Sequence, residues 1–176
     1  MHDVIGLTEP PEEIIAEVVR RMEARYAEHL PLVEGAVDAV KRLAGTFRLG
    51  LASSSNRPLI ELVLQRAGIA DLFEATVSSE EVEQGKPAPN VFREAARRLG
   101  VAAPEHCAAI EDSGNGIRAA RAAGMRVIAI PNRRYPPPAD ALALADVVLP
   151  SLAELTPEVV RNGSSEAPAV AHDASG

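Results

Sequence analysis

The chain has 176 residues, 47% of them hydrophobic and 24% charged, which is enough apolar material for one compact domain with a small appendage. A formal net charge of −7 and a pI near 5.2 argue against a nucleic-acid partner, because such affinity comes largely from neutralising phosphates. Cys107 is the single cysteine, so no internal disulfide forms. No basic start followed by an apolar run marks a leader, and no window approaches the ~18 uninterrupted apolar residues of a membrane span. The expected setting is the cytoplasm, and no membrane partner is expected.

Apolar residues at Ile14, Ile15, Val18, Val19, Met22 and Tyr26 recur at helical spacing and predict a helix from Pro10 to about Leu30. Pro31 interrupts it. A second helix follows over Gly35 to Ala44, with Ala36, Val37, Val40 and Leu43 on one face. Phe47 to Ala52 then reads as a strand running into Ser53-Ser54-Ser55-Asn56, and Pro58 to Ala67 as a helix closed by Gly68. The unit repeats: strand 75–78 and helix 89–99 with Gly100, then strand 107–110 and helix 113–123 with Gly124. Strands over 126–130 and 147–149 complete the series. Strands alternating with helices predict an α/β fold, a parallel sheet flanked by helices with ligands at the carboxyl ends of its strands. From Asn162 onward Gly, Ser, Ala and Pro follow without periodicity, and a disordered tail is expected over 162–176.

Three clusters fall at such strand ends. Ser53, Ser54, Ser55 and Asn56 offer hydroxyls and N–H groups before a helix, suited to an anion or simply to a turn. Lys86 stands in Gly85-Lys86-Pro87-Ala88-Pro89 and is one of two lysines against sixteen arginines. It is either an exposed loop charge or an ammonium fixed by its proline neighbours to neutralise a phosphoryl oxygen. Glu111 and Asp112 are adjacent carboxylates whose repulsion a hard cation such as Mg²⁺ would relieve, although an acidic residue before a helix also serves as a cap.

In order and context these residues resemble the haloacid dehalogenase-like (HAD-like) superfamily, in its subgroup of small-capped phosphatases and β-phosphoglucomutase-like proteins. The resemblance covers about Leu30 to Leu155 and rests on Gly-Lys-Pro-Ala-Pro followed by Glu-Asp-Ser-x-x-Gly-Ile. It implies a Rossmann-like core over 31–161, with residues 1–30 as the remnant of a helical cap. It also implies that Ser53 and Lys86 are catalytic, that Ser53, Ser54 and Lys86 bind phosphate, and that Glu111 and Asp112 hold Mg²⁺. The expected substrate is a small phosphorylated metabolite.

One element of the pattern is missing. Family members begin with an apolar strand ending in Asp-x-Asp, whose first aspartate is the nucleophile. None of the seven aspartates here lies in such a pair. The missing strand would be central, and its loss would expose two inner edges and favour self-association. The chain therefore reads as a truncated phosphohydrolase, inactive without its upstream nucleophile. Val4-Ile5-Gly6-Leu7 is the one internal stretch suited to the vacant slot. A β-phosphoglucomutase-like transferase and a non-catalytic relative that binds a phosphorylated ligand are the alternatives.

Overall fold

The computed structural model describes residues 10–162. The first helix, α1 (Pro11–Glu28), starts with proline at N1, where the absent N–H costs nothing, and lies against α3 rather than against a sheet. Arg66 of α3 donates to the Ala27 carbonyl and ties the two together. The chain continues through α2 (Ala36–Ala44), β1 (Gly50–Ser53), α3 (Arg57–Arg66), β2 (Ala75–Ser78) and α4 (Asn90–Arg98). The second half is β3 (Ala108–Glu111), α5 (Gly114–Ala122), β4 (Arg126–Ala129), α6 (Ala139–Leu142), β5 (Val147–Val148) and α7 (Pro157–Asn162).

All strand pairs are parallel, as the alternating pattern predicts, but they form two ladders: β1 with β2, and β3 with β4 and then β5. Period-two alternation sends side chains to opposite faces. Ala109, Val127 and Ala129 join Val77 of β2 in a core with Val91, Phe92, Ala95 and Ala96 of α4 and Ile117, Ala119 and Ala120 of α5. On the other face Ala108, Ile128 and Val147 meet Ala39 and Leu43 of α2. Val37 and Val40 of that same helix pack with Leu51 of β1 and with Ile60 and Leu64 of α3. Helices therefore bridge the two ladders on both faces, although no hydrogen bond joins β1 to β3. Among the described residues neither inner edge has a strand partner, and Ile110 on β3 is 38% exposed. Two such inner edges are expected from the sequence beside the slot of an Asp-x-Asp strand. Val4–Leu7, the suggested substitute, lies outside the described residues.

The outer edge of β2 is treated differently. Its Thr76 carbonyl accepts from both Arg57 and Arg98, and its Ser78 N–H donates to Glu81. Side chains thus occupy ladder groups that would otherwise recruit another strand.

Several boundaries differ from expectation. The first strand begins at Gly50 rather than Phe47, because the N–H groups of Thr46 and Phe47 both return to Leu43 O and extend the turn that ends α2. The short α6, not expected from the sequence, follows Pro136-Pro137-Pro138 with Pro138 at its N-cap. Asn162, taken above as the first tail residue, closes α7, where Thr156 Oγ1 accepts from the Val159 N–H. The expectation of disorder for the remainder falls on residues 163–176, outside the described set. No described helix is long and apolar enough to cross a membrane.

Candidate active site

Parallel strands place the loops that follow β1, β2 and β3 at one end of the molecule. Ser53 ends β1, and its hydroxyl accepts from the Ser55 N–H at 3.0 Å. Asn56 caps α3 by accepting from the Leu59 N–H, so the cap is supplied by the asparagine and the three serines serve otherwise. Two serines at and just after the end of β2 hold this turn. The buried Ser78 donates to Ser55 O at 2.8 Å, and Ser79 donates to Ser54 O at 3.0 Å. Neither residue was singled out in the sequence, where Ser78-Ser79 reads only as a strand end followed by turn residues.

Ser78 is itself fixed by a capping box with Glu81. The Glu81 carboxylate also meets Arg57 and Arg98, which connects the start of α3 to the end of α4. The Ser78 N–H, followed by the two guanidiniums, keeps the Glu81 carboxyl below its ordinary pKa against the opposing effect of burial.

Lys86 lies further along the loop after β2, at a cis Lys86–Pro87 peptide. It is no exposed loop charge: its side chain is 10% exposed and pairs directly with Glu111, itself 8% exposed. The ring of Phe92, on α4, lies 4.7 Å from the Lys86 ammonium. The second oxygen of Glu111 accepts from Ser113 Oγ at 3.1 Å, and Ser113 in turn caps α5 by accepting from the Gly116 N–H. Gly116 is required by close approach, since a Cβ there would overlap the Glu111 carboxylate.

The capping alternative for the acidic pair is thereby answered, because Ser113 does the capping. Asp112 is exposed and makes no ion pair or side-chain hydrogen bond among the described residues. The carboxylate of Glu111 is engaged by Lys86 and Ser113. No group of three or more His, Cys, Asp or Glu side chains suited to a metal occurs among the described residues. The donor set nonetheless fits Mg²⁺, which takes one or two carboxylates and completes its shell with water and substrate oxygens.

A family model for haloacid dehalogenase-like hydrolases matches residues 3–124. Hexitol phosphatase B of Escherichia coli is 39% identical over 148 residues, covering 82% of this chain and 65% of that protein. The putative phosphatase YhcW of Bacillus subtilis is 40% identical over 114 residues, covering 65% of this chain and 50% of that protein. The chain thus spans between half and two thirds of the length of these relatives. Among solved structures, CbbY from Rhodobacter sphaeroides in complex with phosphate superposes with a TM-score of 0.71 at 32% identity, over 85% of this chain and 67% of that one. A β-phosphoglucomutase from Clostridium difficile gives 0.62 at 26% identity, over 75% and 56%.

Proposed function

The chain belongs to the haloacid dehalogenase-like hydrolases, and from that premise we propose that it supplies most of the active site of a Mg²⁺-dependent phosphatase acting on a small phosphomonoester. The observation that carries this reading is the enclosed Lys86–Glu111 pair beside an exposed, uncommitted Asp112. A lysine anchored by one carboxylate in a site of low exposure keeps donors for a phosphoryl oxygen and stabilises charge that develops during transfer. Ser53 and Ser54, on a turn braced by Ser78 and Ser79, offer hydroxyls and N–H groups to the same anion.

Asp112 is the residue of this chain placed to hold the cation, with Glu111 as its neighbour and the orienting group of Lys86. Bound Mg²⁺ would supply neutralisation of phosphoryl charge. The attacking aspartate would come from a strand between the edges of β1 and β3 that are unpaired among the described residues, where its carboxyl end would lie between Ser53 and Glu111. Hexitol phosphates are a first choice of substrate on the strength of the E. coli relative's name.

The test is phosphate release from a panel of sugar phosphates, measured for the chain alone and with an upstream segment that provides an Asp-x-Asp strand. Turnover should require both the strand and Mg²⁺, vanish in Asp112→Asn, and fall about 10²-fold in Lys86→Ala. Metal-independent turnover, or full activity in Lys86→Ala, would refute the reading.

A further inference from the structure

Phe92 has a plain reading as a core residue: it is 7% exposed and packs with Val77, Val91 and Ile117 between α4 and α5. One face of its ring, however, is turned to a charge. The Lys86 ammonium sits 4.7 Å from the ring centroid while bonding Glu111. An aliphatic side chain of similar volume would fill the core equally well, but it lacks the negative ring face that attracts a cation, an attraction that grows as water is excluded.

We propose that Phe92 is a positioning residue for Lys86, its ring and the Glu111 carboxylate together fixing the ammonium so that its remaining N–H donors are held ready for an anion. This rests on the reading of Lys86 as the cation that meets the phosphoryl group. The ring contributes attraction without consuming a directed lone-pair contact. Lys86 therefore stays desolvated and localised without being neutralised by a second carboxylate, which would cancel the charge the anion needs.

The composition makes the test direct, because Lys41 is the only other lysine and stands exposed on α2 as an internal reference. In the full chain labelled at lysine with ¹³C and ¹⁵N, Lys86→Met assigns the two side chains. The Lys86 ε protons should resonate upfield of those of Lys41 through the ring current. Phe92→Leu should abolish that displacement, and Phe92→Tyr, which retains the ring, should preserve it. Titration with inorganic phosphate in Mg²⁺, followed at Lys86, should show affinity about threefold weaker in Phe92→Leu and unchanged in Phe92→Tyr. A native chain whose Lys86 ε protons coincide with those of Lys41 would overturn the proposal, and this measurement decides even where Phe92→Leu does not fold. A folded Phe92→Leu protein that keeps the native displacement or affinity would overturn it equally. The ring-current result requires no turnover, so a failed phosphatase assay bears on the function and leaves the Phe92 contact to be judged separately.

Discussion

Gly116→Ala separates two effects of opposite sign. In a helix interior alanine is favoured over glycine by ~1 kcal/mol, so propensity alone predicts a more stable protein. Against this, the new Cβ would lie closer than 3.0 Å to both oxygens and the carboxyl carbon of Glu111. A flexible carboxylate could normally swing aside at little cost. Here one oxygen holds Lys86 and the other holds Ser113 Oγ, and the Lys86 and Glu111 side chains are 10% and 8% exposed. Breaking an enclosed ion pair costs ~3–5 kcal/mol, so the net loss is ~2–4 kcal/mol after the helix gain. With a urea dependence of ~2 kcal/mol per molar, the unfolding midpoint should fall by ~1–2 M. In a Glu111→Ala background the obstacle is gone, and Gly116→Ala should be neutral or stabilising by ~1 kcal/mol, giving strong coupling in a double-mutant cycle. A Gly116→Ala protein with a native or raised midpoint would show that the carboxylate is not held and would refute the reasoning.

Ile117, fully buried on α5 in the larger core, should cost about 2–5 kcal/mol as Ile117→Ala in the same denaturation assay. The Arg118–Asp140 pair, 34% and 72% exposed, should matter little: Asp140→Asn is expected to leave stability within ~1 kcal/mol of native. Glu81 has a folded pKa below its ordinary value of 4.5, so in that range the unfolded chain binds more protons and stability falls as the pH drops. Its contribution is complete above about pH 4.5 and lost as the pH passes down through the folded value. Urea midpoints over an acid series should therefore decline less steeply in Glu81→Gln than in the native chain, and equal slopes would remove Glu81 from the acid response.

The alternation was legible because each of α1 to α5 is followed by a glycine or proline signal and the strands are short runs rich in β-branched or small residues. Ala75–Ser78 was bounded correctly, and Gly124, at φ 85°, makes the tight turn from α5 into β4 that its position suggested. Phe47 misled because its apolar ring packs with the α2 and β4 core from the turn after α2, whereas Leu49, in the same core, leads directly into β1 and accepts from the Glu74 N–H. In the site, Lys86 and Glu111 were both marked by local motif, yet their direct contact spans 25 residues and no local pattern specifies it. Ser78, Phe92, Ser113 and Gly116 support the marked residues from other elements. Of these, Ser113 and Gly116 carried a readable signal, a serine and glycine flanking a helix start, while Phe92 was hidden among ordinary core positions.

Each hydrogen-bonded ladder is assembled from strands close in sequence, β1 with β2 within residues 50–78 and β3 to β5 within 108–148. The register of either half can form without the other, and among the described residues cohesion between them rests on side-chain packing by α2, α4 and α5 rather than on backbone pairing. Cooperative opening units often coincide with such local motifs. Amide exchange in β1 and β2 is accordingly free to follow a different opening free energy from that in β3 and β4. Any strand that enters between the two halves would fuse them into a single exchange unit.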